Sequence, residues 1–189
     1  MRALVDLPGN RGKQITWKIA GQAAATPPGV LKAQRSGDGS VLVSTGPLSV
    51  RIPAQGFLPL ADVRLNGAAF PGNMTGFTFR AGAQTWSTAD AGPVKIDIVE
   101  QGPAALVVLV SGRHGAESSP FDFSAKLVFW AGKPYVEVDY RVVAARGASE
   151  QLIDSWSWSA GMSTAASRVR EGHGHYGVSL KESGEKVSY

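Results

Sequence analysis

The segment from residue 121 to residue 143, FDFSAKLVFWAGKPYVEVDYRVV, alternates apolar and polar residues, breaks at Ala-Gly-Lys-Pro and then alternates again. Because successive side chains of a β-strand point to opposite faces, this period of two predicts an antiparallel hairpin with one buried and one polar face. The predicted buried faces hold Phe121, Phe123, Ala125, Leu127 and Phe129 on the first strand, and Val136, Val138, Tyr140 and Val142 on the second.

Short apolar runs separated by turn residues recur along the rest of the chain. Further strands are predicted within 13–20, 39–44, 48–53, 57–67, 76–82, 94–100, 104–114, 151–161 and 174–182. The 23 glycines and 11 prolines supply the turns between them, and no window keeps a 3.6-residue period beyond a short helical turn within 161–172. We therefore predict an all-β fold, an antiparallel β-sandwich or distorted barrel, with residues 1–189 forming one domain.

Composition and charge exclude several classes of function. The chain has no cysteine, so disulfides and thiolate metal sites are excluded. Its net charge of +4 is spread along the sequence without an aromatic-interleaved basic run, so no nucleic-acid partner is expected. The longest apolar run, 104–110, is too short to span a membrane, and the first ten residues contain no signal peptide. No cofactor is predicted.

Three segments carry a resemblance to a known family. In sequence order, STGPLSVRIPAQGF (44–57), VEQGPAALVVLVSGRH (99–114) and LVFWAGKPYVEVDYRVV (127–143) resemble the N-terminal β-domain of bacterial exo-rhamnogalacturonan lyases and their relatives. The resemblance spans about 39–145, and residues 2–20 resemble that domain's second strand. It implies that the chain lacks the start of its β-domain and is cut from a larger protein with a helical domain.

The resemblance also implies a function for the parent protein. Such a parent would be a secreted or periplasmic polysaccharide lyase that cleaves pectin-type rhamnogalacturonan by β-elimination, with an acidic polysaccharide or oligosaccharide as its partner. This chain would be an accessory β-domain, not catalytic alone, beside the missing helical catalytic domain. The alternative is a stand-alone module that binds carbohydrate or another protein.

One cluster has residue types suited to lyase chemistry. A uronate lyase needs a base, an acid and a cation or donors that hold the enolate charge. The segment RVREGHGHYG supplies Arg168, Arg170, His173, His175 and Tyr176. If 173–176 is extended, the two histidines share a face, which also suits metal chelation, but two ligands do not define a site. No metal is therefore predicted. A solvated glycine-rich loop is the favoured interpretation of this segment, and a contribution to a site completed by missing parts of the protein is a further alternative.

The tryptophans are the candidate sugar-binding residues. In DSWSWS, Trp156 and Trp158 are two positions apart, so a strand would present both indoles on one face, where they could stack on sugar rings. The favoured interpretation, however, places both in the core or at a domain interface. Trp130, beside the Ala-Gly-Lys-Pro turn, is interpreted first as a packing residue and second as a sugar platform.

Two further features have simpler explanations. Glu137 and Asp139 share one strand face, which is compatible with a glycosidase carboxylate pair, but a solvated row of charges on the polar face is the favoured interpretation. His114, at a strand end, is interpreted as a loop residue and not as a base.

Overall fold

The computed structural model describes residues 31–70, 72–116, 119–144, 153–158, 160–162, 172–173 and 176–177. Within these ranges the strands are β1 (Lys32–Arg35), β2 (Val41–Ser44), β3 (Leu48–Ile52), β4 (Ala61–Leu65), β5 (Ala68–Ala69), β6 (Gly72–Met74), β7 (Thr78–Ala81), β8 (Gln84–Ser87), β9 (Lys95–Gln101), β10 (Ala105–Arg113), β11 (Phe121–Trp130), β12 (Val136–Ala144), β13 (Ser155–Ser157), β14 (Ala160–Met162), β15 (Gly172–His173) and β16 (Tyr176–Gly177). A 3₁₀ turn spans Thr88–Asp90. The predicted strand at 13–20 lies outside the described residues, as does most of the predicted helical turn.

Two antiparallel sheets form the body of the fold. The first follows the chain in the order β1-β2-β3-β4-β5, and the second has the order β12-β11-β10-β9. In the first sheet, β4 turns into β5 at Asn66-Gly67, where both residues have positive φ (50° and 82°). This is the conformation of the two-residue hairpin turn that such a dipeptide favours.

The core lies between these two sheets and forms one continuous cluster. The first sheet contributes Val41, Val43, Leu48, Val50 and Ile52, and the second contributes Ile96, Leu106, Val108, Val110, Phe123, Ala125, Leu127 and Phe129. Each apolar side chain of this size stabilises the fold by about 1.5–3 kcal/mol when it is fully buried. The strands alternate buried and less buried residues: along β3, Leu48, Val50 and Ile52 are buried, and the two residues between them are only partly buried. The all-β prediction is confirmed, and because neither large sheet closes on itself, the architecture is consistent with a sandwich and not with a barrel.

Three smaller sheets complete the described structure, in the orders β13-β7-β8, β14-β6 and β15-β16. A second apolar cluster joins the three-stranded sheet to β11 through Phe79, Trp86 and Phe121. This contact holds β7 and β13 beside the second large sheet.

The predicted hairpin at 121–143 is confirmed, with one correction. Strand β11 pairs with β12 from Phe121 opposite Ala144 to Phe129 opposite Val136. The first strand's predicted face is buried throughout, but Val138 on the second is 37% exposed. The reason is that β12 is the edge strand of its sheet, so its inner face is only partly covered.

Turns from distant parts of the chain meet at one end of the sandwich. The Thr45 hydroxyl donates to the Lys133 carbonyl at 2.6 Å, and the Gly132 amide donates to the Thr45 carbonyl at 2.7 Å. The Ala131 amide donates to the Ala104 carbonyl at 3.0 Å. The three segments singled out in the sequence are therefore in contact through their turns.

The described residues contain no helix with the length and hydrophobicity that a membrane span requires.

Candidate functional site

An open, mainly apolar groove lies beside the inner face of β12. Its volume is about 510 Å³. The residues that line it come from four separate parts of the chain: Pro59, Leu60, Phe77, Val136, Val138, Asp139, Tyr140, Trp156 and Trp158. Five of these nine are aliphatic, proline or phenylalanine, three more are tyrosine or tryptophan, and Asp139 is the charged member, so the lining suits a ligand with apolar faces.

Strand β13 places both candidate tryptophans at the groove. Trp156 pairs with Phe79 of β7, and Trp158 follows two residues later, as predicted for indoles that share a side. Trp156 is 56% exposed and Trp158 is 44% exposed. These exposures contradict a position of both tryptophans in the core, while a position at a domain interface stays open. Both indoles are available to a ligand.

The indoles rest on an aromatic stack that runs from the groove into the core. Phe77 lies 6.1 Å from each indole, centroid to centroid, with interplanar angles of 24° and 26°. Tyr140 stacks on Phe77 at 3.7 Å, and Phe123 stacks on Tyr140 at 5.7 Å. Offset stacking of this kind favours near-parallel rings, so the floor of the groove is held in a fixed orientation.

Phe77 is itself fixed by the buried Thr88 hydroxyl. That hydroxyl accepts from the Phe77 amide at 2.9 Å and donates to the Phe57 carbonyl at 2.7 Å. The Thr88 amide donates to the Phe77 carbonyl at 2.9 Å. A Cβ added to Gly76 would lie 2.5 Å from the Ala89 nitrogen. Only glycine therefore allows the chain to approach the 3₁₀ turn this closely.

Two buried polar groups lie beneath the groove. His114 is fully buried, and its ring centroid lies 4.6 Å from that of Phe79 and 6.0 Å from that of Tyr140. Among the described residues, neither His114 nitrogen nor the Tyr140 hydroxyl has a hydrogen-bond partner. Burial lowers the pKa of His114 to about 4 and raises that of Tyr140, because an apolar environment disfavours the charged form of each.

A smaller hollow of about 230 Å³ continues the groove toward the β11–β12 turn. It shares Leu60 and Val136 with the main groove and adds Tyr135, which is 47% exposed. The apolar surface therefore extends beyond the tryptophan pair along the start of β12.

The structure separates Trp130 from the other two candidate tryptophans. Its indole nitrogen donates to the Glu137 carboxylate at 2.9 Å, and Trp130 is absent from the residues that line the groove. Trp130 therefore packs along the polar face of the hairpin.

The histidine cluster is only partly described. His173 in β15 pairs with Tyr176 in β16 across an antiparallel ladder. They are therefore cross-strand neighbours. The argument that the two histidines share a face required residues 173–176 to form one extended strand, and they do not. Arg168, Arg170 and His175 lie outside the described residues.

The acidic pair on β12 lies on the solvent side. Glu137 and Asp139 are both exposed, and Asp139 pairs with Arg141 at 3.0 Å. A hydrogen bond from Arg141 lowers the pKa of Asp139. A lowered pKa is the opposite of what a glycosidase acid requires, so Asp139 fits the favoured interpretation of a solvated row of charges. His114 lies just after the end of β10, as predicted, but its side chain is buried in the core.

Sequence reasoning did not identify Phe77, Leu60 and Tyr140 as site residues. Tyr140 was assigned to a buried face, and nothing local to residues 59–60 or 77 indicates a groove. They meet the tryptophans only through tertiary packing. The one usable signal was the Trp-x-Trp spacing, which located the groove's exposed wall.

Within the part of the chain that the structure describes, no three histidines, cysteines or acidic residues are grouped to hold a metal ion. No protein-family model matches the chain, and no curated protein matches it. The resemblance to exo-rhamnogalacturonan lyases therefore stays a prediction based on the three segments named above.

Proposed function

We propose that this chain is a carbohydrate-binding β-domain accessory to an enzyme that acts on pectin-type rhamnogalacturonan. The observation that carries the proposal is the exposed pair Trp156 and Trp158 on the wall of an apolar groove. The groove's volume is within the range of about 300–1,000 Å³ typical of small-molecule sites.

The groove offers the two kinds of contact that a sugar requires. The C–H faces of a pyranose ring are apolar and stack on the indoles, while its hydroxyl groups need polar partners. The Asp139 carboxylate lies on the solvent face of β12 and pairs with Arg141, so the polar contacts to sugar hydroxyls come from the indole N–H groups of Trp156 and Trp158. The rigid stack beneath Phe77 limits the loss of side-chain freedom on binding.

The sugar class and the parent enzyme come from the resemblance. On that basis the parent cleaves the backbone by β-elimination in a helical domain outside this chain, in a secreted or periplasmic setting. This domain supports that chemistry by holding the polysaccharide. The open groove suits such holding better than catalysis, because no acid or base with a pKa near neutrality lines its described walls.

Titration of the purified chain with rhamnogalacturonan oligosaccharides tests the proposal. We expect quenching of tryptophan fluorescence and saturable heat of binding by calorimetry. Trp156→Ala and Trp158→Ala should each weaken binding about tenfold, the loss of roughly 1.4 kcal/mol of stacking. Trp130→Ala is the matched control, since it removes an indole outside the groove, and it should leave the affinity unchanged.

Two results would contradict the proposal. One is a failure of binding, seen either as no binding by a folded sample or as an affinity that Trp130→Ala weakens as much as the groove variants do. The other is new ultraviolet absorbance from an unsaturated uronate on mixing with the polymer, which would make the chain an enzyme by itself.

A further inference from the structure

We propose that two copies of this chain associate through β12, edge to edge, in an antiparallel register centred on Tyr140. The pairing joins the two four-stranded sheets into one continuous sheet. It stands on the backbone edge of β12 and not on the tryptophan pair, although Val138 and Tyr140 also line the groove.

Strand β12 is a long and regular edge. It spans nine residues, Val136–Ala144, and its register with β11 runs without a break. Among the residues that the structure describes, no strand pairs with β12 from its other side. A flat edge of this length is a template for another strand.

The opposite edge of the same sheet is protected. Strand β9 has a register shift against β10 between Val107 and Val108. The Arg35 guanidinium donates to the Ile96 carbonyl at 2.8 Å, which occupies a backbone acceptor of β9. Irregular pairing and an edge covered by another part of the chain are among the usual devices that block edge association. Because the β9 edge is blocked and the β12 edge is open, we expect the second copy to pair with β12.

Charge complementarity selects the register. When two β12 strands pair antiparallel with their faces aligned, a centre at Tyr140 sets Asp139 opposite Arg141 of the other copy, and the reverse. A centre at Asp139 or at Arg141 sets two like charges opposite each other, and a centre at Val138 sets Glu137 opposite Asp139. Opposite charges stabilise cross-strand pairs and like charges destabilise them.

The charged row continues into the neighbouring strands. Asp139 lies opposite Lys126 of β11, and Arg141 lies opposite Ser124. Across the joined sheet, Lys126, Asp139 and then Arg141 of the other copy would alternate in sign.

The apolar face is self-complementary in the same register. Val138, which is 37% exposed, would lie opposite Val142 of the other copy, and Tyr140 opposite Tyr140. Pairing therefore covers the exposed part of the inner face that an edge position leaves open.

Light scattering and sedimentation of the full chain across a range of concentrations test the proposal. We expect a dimer for the wild type. Asp139→Arg and Arg141→Asp should each raise the dimer dissociation constant about tenfold or more, because each places like charges opposite each other. The double exchange D139R/R141D should restore the wild-type constant, since the opposite-charge pairs return.

Val138→Lys provides a second test that does not depend on the ion pairs. It places an inward-pointing charge on the edge and should yield a monomer. Val99→Lys on β9, where Val99 is 53% exposed, is the matched control and should leave the dimer intact. Thermal unfolding of each variant confirms that it is folded.

A monomeric wild type at all concentrations would overturn the proposal. So would a dimer that survives both single charge reversals, or one that Val99→Lys disrupts as strongly as Val138→Lys. Failure of the double exchange to restore association would exclude the Tyr140-centred register.

Discussion

At the scale of single residues, His114 is the feature with the clearest energetic consequence. Its ring is fully buried among Phe79, Phe123 and Tyr140, and its pKa is lowered to about 4 by that burial. The unfolded chain therefore binds a proton at higher pH than the folded chain does. Stability that depends on neutral His114 is fully present above a pH of about 6.5 and is lost as the pH falls toward 4.

We predict that His114→Leu flattens the pH dependence of stability in this window. In the wild type, the free energy of unfolding should fall by an amount on the order of 3 kcal/mol between pH 6.5 and pH 4. Urea unfolding at several pH values measures this directly. Val99→Leu, which changes an exposed position without a titratable group, is the control and should keep the wild-type slope. An unchanged slope in His114→Leu would show that other groups cause the acid sensitivity.

At the scale of elements, the approach of the loop before β7 to the 3₁₀ turn shapes the groove. Gly76 allows that approach, and the Thr88 hydroxyl then fixes Phe77 beneath the indoles. Position 77 therefore depends on a close backbone contact and a hydrogen bond, two features that alternation of apolar residues does not reveal.

We predict that Gly76→Ala lowers the free energy of unfolding by about 2 kcal/mol or more, because the new methyl group meets backbone that has little room to move. Sugar binding should weaken as well, since Phe77 supports both tryptophans. Gly37→Ala is the matched control, as an added Cβ there meets nothing within 4 Å. Chemical denaturation of both variants gives the comparison, and equal stabilities would contradict this view of the turn.

The positions of the strands and the faces that they bury were the features best predicted from the sequence. Strict alternation predicted β11 and β12 and the faces of each, because these are local consequences of strand geometry. Alternation does not indicate which strand lies at an edge, so the exposure of Val138 was missed. The Trp-x-Trp spacing located one wall of the groove, but Leu60 and Phe77 reach it only through packing between distant segments.

At the scale of the whole molecule, the two large sheets share one core, so they should unfold together. Core side chains of β3 and of β10 belong to the same cluster. We predict that amides of these two strands exchange hydrogen with the same free energy of opening, close to that of global unfolding. Leu127→Ala, which opens a cavity in that cluster, should lower the free energy of opening of both strands by about 2–5 kcal/mol.

Native-state hydrogen exchange by mass spectrometry or NMR measures both strands in one sample. The short strand β5, exposed at Ala68 and Ala69, serves as the control, since its amides should exchange by local fraying in either protein. If β3 opened well below β10, the first sheet would be a separate unit of folding.

The meeting of distant turns at one end of the sandwich has a consequence for how the chain is made. The hydrogen bond from Thr45 to Lys133 joins residues 88 positions apart. At a synthesis rate of about 5–20 residues per second, roughly 5–20 s separate the emergence of the first sheet from that of the hairpin that covers it. During that interval the apolar side of β2 and β3 has no partner sheet, so the nascent chain passes through a period in which it is a natural client for chaperones.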